Sequence, residues 1–378
     1  MSGGVDSSVV AGLLHEQGHD VIGVTLQLYD HGAALAGRKG ACCAGQDIHD
    51  ARRVADRLGI PHYVIDAESR FADAVIAAFA DSYASGETPV PCIRCNQTVK
   101  FHDLTVLARG LGAERLATGH YVRRIDGPGG AEMHRAVDPA RDQSWFLYAT
   151  TREQLKACLF PLGGMEDKAA VREIARGLGL MVAAKPDSQD ICFVPAGAYT
   201  DIVARLRPDA LEAGEVVAAD GRVVGHHDGI ARYTVGQGKR LGTAAVIGGQ
   251  RQVVVATDPS RRRVIVGPRD TGTRQVRLRD MNWLLPEVPA ELRCDVRMRA
   301  RDTMRPAVVR TEGGETLVQL EEPALPAPGQ ACVLYEGTRV LGGGFIETAP
   351  RDTRMVDEEG RPGLSPAPSG VNGGVAQR

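Results

Sequence analysis

Long apolar runs are missing. No window of this 378-residue chain is long enough to cross a bilayer, which excludes a helical membrane protein. A signal peptide is also lacking, so a cytoplasmic location is expected and, with it, a reducing environment. The eight cysteines are then expected as free thiols, ligands or catalysts rather than structural disulfides. Neither sign of charge dominates, since 45 basic side chains face 47 acidic ones for a formal net charge of −2. That balance announces no nucleic-acid partner by itself. Lysine is scarce throughout, and the first loop lacks the lysine of the pattern G-x-x-x-x-G-K-S/T, which removes the usual grip on a γ-phosphate.

What is present starts at once. In "MSGGVDSSVVAGLLHEQGHDVIGVTLQLYD" the positions Val9, Val10, Leu13 and Leu14 fall at helical spacing, and "VIGVTL" reads as a buried strand. The loop Ser2, Gly3, Gly4, Val5, Asp6, Ser7 and Ser8 leads into that helix, where free N–H groups and the helix dipole suit a phosphate or pyrophosphate. An ordinary helix start capped by Asp6 or Ser7 is the competing reading.

Length favours two or three domains, and an apolar share of 43% indicates a globular protein. The first half alternates strand-like and helical segments ("DIHDARRVADRLGI", "PHYVID", "ERLATGHY"), which predicts a Rossmann-like parallel sheet covered by helices over 1–195. From about Ala196 short alternating segments separated by Asp220-Gly221 and Asp228-Gly229 predict a central β-rich domain over 196–272. Six or so further strands over 273–349 predict a small C-terminal β-barrel. Residues 350–378 have too few apolar side chains to order themselves and are expected to form a mobile tail. From Arg261 to Arg310 there are thirteen arginines and six acids, a candidate phosphate-binding face or a solvated surface.

Two stretches carry thiols in suggestive surroundings: "ETPVPCIRCNQTVKF", with Cys92 and Cys95, and "KPDSQDICFVPAG", with Cys192. A C-x-x-C serves as a redox pair, half a zinc site or part of a cluster site, and a structural zinc would want a second pair that Cys42-Cys43 does not supply. Cys158, Cys294 and Cys332 lie on apolar segments and read as core.

Taken in order, the loop "SGGVDS", "PCIRCN…KF", "ATGHYVR", "DQSWFLY", "DSQDICF", "GHHDGIARYTVGQGKRLG" and "PALPAPGQACVLYEGTRVLGGGFI" resemble the bacterial tRNA-specific 2-thiouridylases, the MnmA/TrmU family of the pyrophosphate-loop ATP pyrophosphatase superfamily. The likeness runs from residue 1 to about 348, although the strand that precedes the loop in that superfamily is absent here. It implies ATP-dependent replacement of the C2 oxygen of the tRNA wobble uridine by sulfur, with ATP and Mg²⁺ as cofactors and tRNA and a sulfur-carrier protein as partners. Ser2 to Ser8 would hold pyrophosphate, Leu26 would meet adenosine through its backbone, and Gly119 would let backbone approach the nucleotide. Cys192 would carry a persulfide and Cys95 would be the nucleophile, both needing a lowered thiol pKa from a helix end or a cation. The likeness assigns Val90, Pro91 and Cys92 to the target-base pocket. It assigns His120, Arg141, Asp142 and Gln143, with Arg299, Ala300 and Gln330 of the barrel, to tRNA contact. Cys92 stands where many relatives carry an acid, so Cys92, Cys95 and Cys192 could instead ligate a 4Fe-4S cluster. Two alternatives remain at this level: an adenylating ligase of the same superfamily without sulfur chemistry, and a catalytically inactive tRNA-binding protein.

Overall fold

Val5–Glu16 forms the first helix, α1, and buries Val5, Val9 and Val10. Its N-cap is Gly4, in extended conformation, and no side chain caps it. Asp6 and Ser7 therefore lie inside the first turn and neither caps the helix, which leaves first-turn N–H groups open to a ligand. The computed structural model describes residues 1–29, 43–187, 191–194 and 198–348. The chain divides into a unit spanning 1–348 and another spanning 349–378. Cys42, the side chain of Cys43 and the expected tail from residue 350 lie outside the described residues.

After α1 the chain enters β1 (Gly23–Gln27), and α2 (Cys43–Leu58) returns it to a parallel neighbour, β2 (His62–Asp66). Met1 lies against β1, its amino group donating to the Val24 carbonyl and its own carbonyl accepting from Thr25 Oγ1 at 2.7 Å. Burial lowers the pKa of that ammonium to about 5. Next come β3 (Leu116–Ala117), the hairpin of β4 (Val122–Gly127) and β5 (Gly130–Arg135), and β6 (Cys158–Leu159), which pairs parallel with β3. The parallel sheet thus stands in two pieces, β1–β2 and β3–β6.

The central strands β7 (Gly214–Ala218), β8 (Val223–His227), β9 (Val246–Ile247), β10 (Gln250–Asp258) and β11 (Arg263–Pro268) form one sheet in the order β8-β7-β11-β10-β9. The barrel follows: β12 (Thr273–Trp283), β13 (Glu291–Arg297), β14 (Arg305–Glu312), β15 (Glu315–Ala324), β16 (Ala331–Glu336) and β17 (Arg339–Ile346). Its strands run β12-β15-β14-β13-β16-β17, and pairing of β12 with β17 closes the ring. Closure removes the edges that an open sheet would leave unpaired.

One connection crosses the expected domain boundary. Strand β5 pairs with β17 at His134 and Arg339, so the hairpin extends the barrel sheet. One apolar cluster joins Trp145, Leu147 and Tyr148 to Val333, Tyr335 and Phe345 of the barrel. Fully burying one such large side chain contributes roughly 1.5–3 kcal/mol. Cys158 and Cys332 are buried, and Cys294 packs on the barrel core.

Candidate active site

The glycines of the first loop have separate reasons. Gly3 takes a left-handed φ of 69°, and a Cβ there would collide with the carbonyl oxygen of Asp47 on α2. At Gly119 a Cβ would stand 2.9 Å from both Asp6 Cβ and the Ser7 nitrogen. Gly119 is thus demanded by the packing of its own strand end against the loop, whatever the ligand. Ser2 and Ser7 tie the loop together, with the Ser2 N–H donating to Ser7 Oγ at 3.0 Å. Around them opens a broad cleft that also takes in Leu26, Lys100, His120, Arg141, Gln143 and Cys192.

A chain of charges surrounds this loop. Asp6 accepts from Lys168 Nζ at 2.7 and 2.8 Å and from the Tyr121 hydroxyl at 2.7 Å. Lys168 also reaches Asp187 at 3.0 Å, and Arg141 pairs with Asp187 at 2.7 Å. Desolvation pushes the Asp187 carboxyl up, but the bonds and charges of Lys168 and Arg141 more than reverse this and leave it below its ordinary value. Lys185 donates to the Gly3 carbonyl at 3.0 Å and pairs with Asp47 and Asp50 at 2.7 and 2.6 Å. The sequence motifs contain Lys100, Tyr121, Lys185 and Asp187 without assigning them a role, and Lys168 lies outside every motif. A signal existed: in a chain so poor in lysine, Lys100 and Lys185 line one cleft and Lys168 holds Asp6 of its loop.

The thiols meet beside it. Cys95 is buried in an apolar cluster with Phe71, Phe79 and Phe193, the last adjoining Cys192. Cys92 and Cys192 are exposed as residues. The Cys192 thiol is pushed up to about 12, first by the protein crowded around its sulfur, with Lys100 opposing and the thiols of Cys95 and Cys92 adding to the rise. Cys92 and Cys95 are also raised by desolvation, again against Lys100. The expected lowering of the thiol pKa values is therefore not met. The cation is present, but loss of water outweighs it. Among the described residues no group of three His, Cys, Asp or Glu side chains is placed to hold a metal ion. Cys92, Cys95 and Cys192 therefore do not form a single-ion site.

The remaining candidates fall into two sets. His120, Arg141 and Gln143 line the cleft. Burial and then Lys100 lower the His120 pKa to about 3, so it works as a neutral hydrogen-bonding ring rather than a phosphate-binding cation. The others are engaged inside the protein. The Asp142 carboxylate has no solvent exposure and accepts from Arg135 at 3.2 Å, Arg297 at 3.1 Å and Ser144 Oγ at 3.0 Å. Arg299 donates to the Val235 and Leu325 carbonyls at 2.8 and 3.1 Å, Gln330 donates to the Thr88 carbonyl at 2.9 Å, and Ala300 packs on the shared core. Val90 and buried Pro91 line a separate small pocket with Arg94 and Phe345.

Family models match nearly the whole described chain. Residues 1–196 match the tRNA methyl transferase HUP domain, 201–268 its PRC-barrel domain and 273–346 the aminomethyltransferase beta-barrel domain. The tRNA-specific 2-thiouridylase MnmA of Gluconobacter oxydans is 64% identical over 353 residues, covering 92% of this chain and 97% of the relative. That of Acidiphilium cryptum is 66% identical over 346 residues, covering 92% and 98%. That of Rhodospirillum centenum is 55% identical over 388 aligned residues, covering 100% and 95%.

Proposed function

Since the chain belongs to the tRNA-specific 2-thiouridylase (MnmA) family, we propose that its cleft adenylates the uracil C2 oxygen and that Cys192 and Cys95 deliver the sulfur. The enzyme is a tRNA-uridine 2-sulfurtransferase, and tRNA is its substrate. Among the described residues no helix is long and apolar enough to cross a membrane.

The uracil C2 oxygen is a poor leaving group. Attack by that oxygen on the α-phosphorus of ATP expels pyrophosphate and leaves AMP as the new leaving group. The uncapped start of α1 and the hydroxyls of Ser2 and Ser7 suit the departing pyrophosphate. Mg²⁺ bound with ATP would offset triphosphate charge, and Asp6 is the loop carboxylate suited to it. Lys168 and Tyr121 take three of its roughly four acceptor positions, leaving one for a further ligand.

Sulfur arrives as a persulfide on Cys192, supplied by a carrier protein. The Cys95 thiolate attacks the inner sulfur, forming a Cys95–Cys192 disulfide and releasing hydrosulfide. Hydrosulfide adds at C2, AMP leaves with the former oxygen, and the 2-thiouridine remains. Two equivalents of an external thiol then reduce the disulfide, freeing both cysteines and leaving as the oxidised thiol. Leu26, Gly119, His120, Arg141 and Gln143 are the cleft residues proposed to frame nucleotide and tRNA, and Cys92 the cysteine proposed to lie beside the target base. Arg299, Ala300, Gln330, Val90, Pro91 and Asp142 are proposed to act by shaping this surface. The division near residues 195 and 272 belongs to the same reading.

The observation that carries the proposal is that Cys92, Cys95 and Cys192 fall within one another's electrostatic reach, beside the cleft of the glycine-serine loop. Cys95→Ser and Cys192→Ser should each abolish 2-thiouridine formation while ATP and tRNA still release pyrophosphate. Retention of thiolation in either variant would sink the assignment.

A further inference from the structure

Pro91–Cys95 is the first turn of a longer helix that runs on through the π-helical Asn96–Asp103 and Leu104–Gly110. This N-terminal turn is where that helix meets the barrel. Ile93 is fully buried in the cluster that includes Tyr335 and Phe345 of the barrel. The Arg94 guanidinium lies 5.7 Å from the Phe345 ring centroid, and that of Arg279 lies 5.8 Å from the same ring. Arg279 also pairs with Glu87 at 2.7 Å, just before the helix. The Thr88 N–H donates to the Pro328 carbonyl at 2.7 Å, and a Cβ at the following Gly329 would stand 2.8 Å from Glu87 Cβ.

The residues of this helix thus divide their work. Ile93 and Arg94 engage the barrel, and the thiols of Cys92 and Cys95 flank them. We propose that the C-terminal barrel aims the C-x-x-C thiols through Arg279 and Phe345, which act as positioning residues for sulfur transfer. The proposal rests on Cys95 as the nucleophile. Arg279 reaches the motif twice, through Glu87 on its lead-in and through the ring it shares with Arg94. A change at the barrel surface that moves Arg279 therefore moves the thiols.

The test uses the full-length enzyme with the variants Arg279→Gln, Glu87→Gln and the charge-reversed pair Glu87→Lys/Arg279→Glu. Three quantities are read: kcat and KM for tRNA thiolation, and the rate of iodoacetamide labelling at Cys92 and Cys95, resolved by peptide mass spectrometry without tRNA. Small misplacements of reacting groups cost up to about a hundredfold, so each single variant should lower kcat roughly ten- to hundredfold. KM for tRNA should change less than kcat, because misplaced reacting thiols are felt chiefly in the transition state. Labelling at the two thiols should change several-fold, and the reversed pair should recover part of both losses. The proposal is overturned if kcat and labelling stay at the wild-type level, if only KM moves, or if the reversed pair is no better than the single variants. Labelling that responds to Arg279→Gln while Cys95→Ser still thiolates tRNA would uphold the positioning and overturn the nucleophile assignment instead.

Discussion

Lys168 stands between Asp6 and Asp187, 2.7 Å from one carboxylate and 3.0 Å from the other. It thereby joins the glycine-serine loop to the segment that leads to Cys192. Removing it leaves two acids facing each other. Lys168→Met should destabilise the protein by about 1–3 kcal/mol, between the values for exposed and buried pairs, because both partners are only partly shielded. KM for ATP should rise at the same time. Denaturant unfolding and pyrophosphate-release kinetics read the two effects.

The acid limb of stability depends on Asp187. Desolvation opposes its ionisation, but Lys168 and Arg141 prevail, so its folded pKa lies below its unfolded one. The unfolded chain therefore takes up this proton first as pH falls. The stabilisation is complete above the unfolded pKa and is lost as pH drops through the folded value. Asp187→Asn should flatten the fall of unfolding free energy below about pH 4, the carboxylate range. An unchanged acid limb would count against the pairing.

Lys100 opposes the rise in pKa at Cys92, Cys95 and Cys192 alike. It sits in the π-helical segment Asn96–Asp103, whose longer turn brings residues five apart toward a common face. Lys100→Met should move the alkylation profile of these thiols to higher pH, and a displacement of about one pH unit would lower the thiolate fraction roughly tenfold. Lys100→Arg should restore most of it. The readout is labelling rate against pH.

Asp142 has its carboxylate sealed among Arg135, Arg297 and Ser144, which spans the first domain and the barrel. Asp142→Ala should cost about 3–5 kcal/mol, the loss expected when one member of a buried pair is removed. A residue acting only at the tRNA surface would change tRNA affinity and leave the thermal midpoint alone.

The loop glycines separate by geometry. Gly3→Ala meets both a left-handed φ and the Asp47 carbonyl, whereas a Cβ on Gly4 finds only Ser2 Oγ at 3.6 Å. Pyrophosphate release should be lost in Gly3→Ala and largely kept in Gly4→Ala.

Much of this architecture is legible from local pattern. The helical spacing of Val9, Val10, Leu13 and Leu14, the apolar runs of the first half and the turn-punctuated strands of the second each report a period that neighbouring residues set. The cysteines were legible because their flanking residues matched a family pattern. What local pattern does not encode is long-range pairing. Nothing near His134 announces Arg339, and Asp142, Arg299 and Gln330 look like surface polar residues until the fold supplies their internal partners. The thiol pKa values escaped for a similar reason, since a nearby cation is visible in sequence but the water excluded around a sulfur is not.

The bridge between β5 and β17 bears on how the enzyme can be dissected. A fragment ending before Thr273 would expose a free strand edge at His134 and wet the faces of Trp145 and Tyr148 that the barrel keeps dry. Such a piece would tend to aggregate rather than fold. For this molecule, the first domain and the barrel gain their order together, and cutting between them takes a wall from each.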